Sequence, residues 1–268
     1  MKRGRGKRAL ILLALALGAC QSPQLRLPPT PQTTILELRS TESTAPLLRT
    51  LVSGYQAARP TLRLALQLST ISAMEALTAA GAKAPLTLTE FLPASSSLWA
   101  APIGDDLLAV ITHPANAIGA LSVEQLRAIY TGRLSSWRDV GGEEAPITVV
   151  SREAGSATRA AFEALVMAGS PSTSNARLAP GTQAMLEIVA GTPGAIGYVP
   201  LHSLTPDVRP LALEGVLPAL ATADAYPLRI PLLLIAAAEP EGLARDFVAW
   251  AQGADGQRII ARYAVPLH

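Results

Sequence analysis

The chain has 268 residues, of which 49% are hydrophobic and 16% charged, with 22 basic side chains, 20 acidic ones and a single cysteine. Five of the basic residues (Lys2, Arg3, Arg5, Lys7 and Arg8) open the chain, so the remainder carries 17 basic against 20 acidic residues, a net charge of −3 that argues against a basic nucleic-acid-binding face. One cysteine excludes an intramolecular disulfide, and the fold must rest on its own apolar core, which a chain of this length can supply.

The cationic head is followed by an apolar stretch from Ala9 to Ala19. That stretch is too short for a transmembrane helix, which needs about 20 apolar residues, and it reads as the core of a signal peptide spanning residues 1–19. It ends in Leu17, Gly18, Ala19 and Cys20, which resembles the lipobox of bacterial lipoproteins. The expectation is a lipid anchor on Cys20 that holds the protein at the outer face of the cell membrane or in the periplasm. Residues 20–32 contain Pro23, Pro28, Pro29 and Pro31 among polar side chains, a composition that favours an extended tether.

Beyond the tether, short apolar runs alternate with helical patterns. Strands are predicted at Ile35–Leu38 and Leu62–Gln67, and helices at Ala45–Ala57 and Ala73–Ala80. A strand at Leu107–Thr112 precedes a helix opening at Ser122, whose Gln125 completes a capping box. Next come a strand at Ile147–Val150, a helix from about Ser156 to Ala168 stopped by Gly169, and a strand at Ile196–Val199. The C-terminal part adds a strand at Arg229–Ile235 and helices at Gly242–Ala251 and Gly256–Tyr263. This alternation indicates an α/β fold with a largely parallel sheet.

The segment richest in chemistry runs from Ser151 to Arg159 (SREAGSATR), between an apolar strand and an amphipathic helix. A helix N-terminus offers backbone N–H groups without intrahelical acceptors and a partial positive charge, which suits an anion. Ser156 and Thr158 add hydroxyls, and Arg152 a guanidinium fork that matches a tetrahedral oxyanion. The same residues also suit an ordinary capped helix start.

Context decides between these readings. The stretch resembles the arginine, glycine, serine, glycine, threonine, arginine signature of the periplasmic phosphate-binding proteins of Pst-type ABC importers. Leu121–Gly132 (LSVEQLRAIYTG), Trp137–Gly142 (WRDVGG), Gly194–Val199 (GAIGYV), Tyr226–Leu234 (YPLRIPLLL) and Gly256–Ile260 (GQRII) are similar to that family's recurring segments, in the family's order.

The resemblance implies a two-lobed periplasmic-binding-protein fold of type II, with two crossover strands and a mostly parallel sheet flanked by helices in each lobe. The expected lobes are residues 33–106 plus 205–268, and residues 107–204. The implied function is capture of inorganic phosphate in the cleft and its delivery to ABC permease subunits by a monomer that uses no cofactor and catalyses no reaction. Carried over residue by residue, Arg152, Ser156, the Ala157 amide and Thr158 match the middle-lobe half of the site. Ser43 or Thr44, just before Pro46, matches the first loop, and Ser72, with Glu75 spaced for a capping box, the second, where Ser69 and Thr70 are its rivals.

Glu90 stands where the family has an aspartate or a serine. A carboxylate there could accept the proton of monohydrogen phosphate, which sulfate lacks. A solvated loop position is the alternative. The sequence departs from the family pattern at Ala157 and Arg39, both in place of glycine, and in a second loop that reads Ser69, Thr70, Ile71, Ser72, Ala73. Binding of another tetrahedral oxyanion (sulfate, molybdate, tungstate), or a sensor or adhesion role on the same fold, therefore stays open. His113, His202 and His268 lack metal-ligand spacing, and no serine lies in a nucleophile elbow.

Overall fold

The computed structural model describes residues 34–60, 64–70, 72 and 85–267. The expected signal peptide, the lipidated Cys20, the tether and the helix at Ala73–Ala80 with Glu75 lie outside the described residues.

The first strand, β1 (Thr34–Ser40), alternates exposed Ile35 and Glu37 with buried Leu36 and Leu38, as a strand with one covered face must. It leads through a four-residue loop into α1 (Ala45–Ala57), which has Pro46 in its first turn, where the missing N–H would have had no acceptor. Its buried Leu47, Leu48, Leu51, Val52 and Tyr55 follow helical spacing. The strands β2 (Leu64–Thr70) and β3 (Leu86–Thr89) both pair with β1 in parallel.

The fourteen-residue β4 (Trp99–Thr112) joins two halves of the sheet. Its first part, through Leu107, pairs antiparallel with β11 (Arg229–Ala236), and its second part, Leu108–Thr112, pairs antiparallel with β8 (Ala195–Pro200). In turn β8 pairs in parallel with β6 (Thr148–Arg152), and β6 with β7 (Arg177–Ala179). Among the described residues the resulting ten-stranded sheet runs β2-β1-β3-β11-β4-β8-β6-β7, with β9 (Arg209–Pro210) and β12 (Val265–Pro266) also on β4, while β5 (Ala120–Leu121) and β10 (Ala212–Leu213) pair apart from it. It is therefore parallel at both flanks and antiparallel in the middle, more mixed than the alternation of elements suggests, because the chain enters and leaves the second half through adjacent strands.

The second half is flanked by α2 (Val123–Tyr130), capped by Ser122, by α3 (Ala157–Phe162), which continues as a π-helical stretch, Glu163–Met167, and by a further helix. The π-helical stretch ends on Ala168 and Gly169, both with left-handed backbone (φ 48° and 80°). The sequence reading missed α4 (Thr182–Ala190), whose Met185, Leu186 and Val189 pack on β8. Gly197 of β8 faces this helix, and a Cβ there would fall on Met185 Sδ. The chain closes with α5 (Gly242–Gln252) and α6 (Ala254–Ile260).

The core follows the same division. One cluster draws on Leu36–Ile103 and Leu232–Ala264, where Tyr55 meets Phe247 and Trp250 edge-on at 5.2 and 5.4 Å. Two others draw on the chain from Leu107 to Ile230, joined by Val265. The buried Val208, Leu211, Leu213, Tyr226 and Leu228 belong with these middle clusters, not with the terminal one.

Ser122 makes both bonds of a capping box: its Oγ accepts from Gln125 N (3.0 Å), and its own N–H donates to Gln125 Oε1 (2.8 Å). Ser122→Ala should destabilise the protein by about 1 kcal/mol in urea denaturation without a change in m-value. An unchanged midpoint would mean that α2 is held by packing alone.

Candidate functional site

The loop after β1, the start of α3 and Ser72 meet around a cavity of about 290 Å³. Its lining is Thr41, Glu42 and Ser43 from the first loop, Ser72, and the run Arg152 to Ala157. Residues far apart in sequence on the two halves of the sheet are thus brought to one place.

The run Arg152 to Ala157 is shaped by the end of β6 and by one turn. Gly155 has φ +86°, in the left-handed region, and its Cα faces the Ser72 side chain closely enough that a Cβ would lie 3.4 Å from Ser72 Cβ. Ser156 caps α3, its Oγ accepting from Arg159 N (3.2 Å), which engages an oxygen lone pair and not the hydroxyl proton. The amides of the first helical turn have no intrahelical acceptor and point toward the cavity end of the helix.

Arg152 is 1% exposed. Its fork closes on Glu153, with Nε and Nη2 donating at 2.9 and 3.0 Å, while Nη2 also donates to Glu42 (3.0 Å) and Nη1 to Thr182 Oγ1 (3.2 Å). Burial opposes its charge, but the bonds to Glu153 and Glu42 outweigh burial and hold its pKa above the usual value. Glu153 shows the converse: burial pushes its carboxyl up, and the Arg152 contact together with backbone donors, Gly181 N among them, brings it below the ordinary range. The backbone of Arg152 is fixed from behind by Tyr198, whose hydroxyl accepts from Arg152 N (3.3 Å) and whose ring stacks on Phe162 at 4.1 Å.

Behind the cavity wall lies a second cluster. Glu90, at the end of β3, is 2% exposed and is no solvated loop residue. Its Oε2 accepts from Ser43 Oγ and from Thr41 Oγ1 (3.2 Å), and its Oε1 from Thr158 Oγ1, so one carboxyl group joins both halves. Burial raises its pKa, the hydroxyl donors of Ser43, Thr158 and Thr41 counter this, and the charge of Asp106 adds to the rise. Asp106 in turn pairs with His202 Nδ1 at 2.9 Å. Burial disfavours the imidazolium, but Asp106, with the charge of Glu90, raises its pKa overall.

Of the residues predicted from sequence, Ser43, Ser72, Arg152, Ser156 and Ala157 line the cavity. Thr158 and Glu90 meet each other just behind Ser43. Thr44 turns away: its hydroxyl donates to Leu88 O (3.0 Å), and it fixes the loop rather than lining the cavity. Sequence reasoning missed Glu42, Glu153, Thr182 and the His202–Asp106 pair. Glu42 and Glu153 could have been found as carboxylates adjacent to predicted site residues, whereas nothing in the sequence signals that His202 lies near Ser43. Among the described residues no group of three His, Cys, Asp or Glu side chains could hold a metal, and no helix is long and apolar enough to cross a membrane.

A two-part α/β fold with a polar cavity where its parts meet defines a class of ligand-binding proteins. A family model for the PBP superfamily domain matches residues 69–255, and the chain belongs to that family. Over 157 residues the chain is 31% identical to the phosphate-binding protein PstS of Bacillus subtilis, a match that takes in 57% of this chain and 52% of the relative. The chain thus spans about half the length of that relative. The fold is shared with a phosphate ABC transporter substrate-binding protein from Clostridium perfringens with bound phosphate (TM-score 0.77, 24% identity, 88% of this chain and all of that one). It is shared as well with an ABC-type phosphate transport receptor from Vibrio cholerae (TM-score 0.74, 24% identity, 87% of this chain and all of that one).

The raised pKa of Glu90 has a sign that can be checked. A carboxyl whose folded pKa lies above its unfolded value contributes stability that is full below the unfolded pKa and lost as pH rises through the folded one. Glu90→Gln should therefore melt near the wild-type temperature at about pH 4 and above it at about pH 8, as followed by circular dichroism. A difference that does not vary with pH would show that Glu90 is not held toward its neutral form.

Proposed function

We propose that this protein captures inorganic phosphate in the cavity between the first loop, Ser72 and the start of α3, and delivers it to the permease of an ABC importer. The observation that carries this reading is the convergence of hydroxyls, helix-start amides and a buried guanidinium from distant segments on one small cavity. The similarity to phosphate-binding proteins supports the choice of ligand. In this reading the protein performs no bond chemistry, and Cys20 carries the lipid that keeps it outside the cell membrane.

The binding set is Ser43, Ser72, Arg152, Ser156 and the Ala157 amide, which line the cavity, with Thr158 held behind it on Glu90. Thr44 acts on the loop, and Glu90 acts through Ser43 and Thr158, because both of its oxygens are already taken by protein hydroxyls. Glu90 thereby fixes how those hydroxyls present themselves, and a proton from the ligand would reach it through them. The lobes are best divided where β4 changes partner and where β11 begins: residues 33–106 plus 229–268, and residues 107–228. The return boundary moves from 205 to 229 because the apolar side chains between these points pack with the middle of the chain.

Calorimetric titration tests the reading. Phosphate should bind saturably, and at 100 times its dissociation constant should stabilise the fold by about 2.7 kcal/mol. Ser156→Ala should weaken binding by about ten-fold, the loss of one hydrogen bond to a charged group, and Arg152→Ala should abolish it. Heatless titrations of the wild-type protein with no change in melting temperature would remove phosphate as the ligand, and sulfate in its place would identify a different oxyanion.

A further inference from the structure

The cavity is built for an anion, yet its wall holds two carboxylates beside one guanidinium. The two carboxylates differ in kind. Glu153 follows Arg152 in sequence, takes the guanidinium fork and also accepts from Gly181 N at 3.2 Å, so it is fixed within its own half and cancels the charge of Arg152. Glu42 comes from the other half. Its Oε2 accepts from Arg152 Nη2 (3.0 Å) and Thr182 Oγ1 (2.9 Å), and its Oε1 from Thr182 N (3.2 Å), the first amide of α4. Its side chain is 46% exposed against 2% for Arg152, so solvent can receive it if it swings away.

With Arg152 already matched by Glu153, the carboxylate of Glu42 is a surplus negative charge in the wall. It also engages a donor that an anion in the cavity would use, one N–H of the guanidinium, and is tethered there by the hydroxyl and amide of Thr182. Like charges repel in proportion to their product, so a second negative charge on the ligand doubles the free-energy penalty and squares the loss in affinity.

Building on the oxyanion reading above, we propose that Glu42 is a specificity-determining residue, a carboxylate tethered by the start of α4 that competes for Arg152 and makes the site prefer singly charged over doubly charged oxyanions. Its effect is moderated by solvent: at a separation of about 5 Å in a water-like medium it amounts to roughly four-fold in affinity for a monoanion and roughly fifteen-fold for a dianion. Glu42→Gln keeps an acceptor for Thr182 and Arg152 and removes the charge.

The charged and titratable groups that face Glu42 are Arg152 and Glu153 at the end of β6, with Glu90 and the His202–Asp106 pair behind the first loop. These are common to both proteins, so the ratio of variant to wild-type affinity isolates Glu42. Phosphate itself supplies the two ligand charges, and the ratio is measured by calorimetry at about pH 6, where the monoanion is abundant, and at about pH 8.5, where the dianion prevails. Glu42→Gln should bind phosphate more tightly than wild type at both, by roughly four-fold at the lower pH and roughly fifteen-fold at the higher. Glu42→Ala, which lacks the hydrogen bonds as well as the charge, should show the same rise in the ratio with pH. A ratio that is flat with pH, or variants that bind more weakly than wild type, would overturn the role of Glu42 while leaving phosphate binding intact. Absence of titration by wild type and variants alike would instead remove the oxyanion reading on which this role rests.

Discussion

A guanidinium can be buried only when its charge and its donors are met, and meeting them at Arg152 organises this molecule. The side chain projects from the last residue of β6, where Tyr198 holds the backbone and Glu153 closes the fork. Those contacts fix the turn at Gly155 and with it the direction of α3, so that the helix start faces the loop after β1. The remaining donors reach Thr182 and Glu42, which tie in α4 and the first half of the chain. The guanidinium is thereby fixed in the cavity wall in advance, and of its contacts the one to Glu42, which comes from the other half, is the one that would have to give way to an anion.

Glu90 solves a complementary problem. A carboxyl group sealed from water favours its neutral form, and the three hydroxyls from both halves that donate to Glu90 counter this only in part. The pair of His202 and Asp106 lies close enough that Glu90 feels the charge of Asp106 and His202 those of Asp106 and Glu90. The junction of the two halves is thus a polar network whose members are set by one another, while the apolar clusters on either side carry the bulk of the stability.

Much of the fold was legible because its signals are local. The capping box at Ser122, Pro46 in the first turn of α1 and the alternation along β1 each act within a few residues, and each element stands where those signals put it. The antiparallel centre of the sheet was not legible, because it depends on β4 and β11 meeting across more than a hundred residues. The start of α4 was missed because Gly181 offers no side-chain cap, and the strand at Leu86–Thr89 because four residues are too few for a period to show. For the site, the SREAGSATR segment pointed to Arg152, Ser156 and Ala157, which line the cavity. What a single sequence could not show is how the side chains pair: that Glu153 takes the fork, that Thr44 turns to a carbonyl, and that Glu90 lies behind the wall rather than in it.

A crystal structure of the protein grown in saturating phosphate tests the central claim most directly. The account predicts a tetrahedral anion within hydrogen-bonding distance of Ser72, Ser156 and Arg152, with the Glu42 carboxylate moved off Arg152 Nη2. An anion held elsewhere, or a cavity that contains only water while Glu42 keeps its contacts, would contradict it.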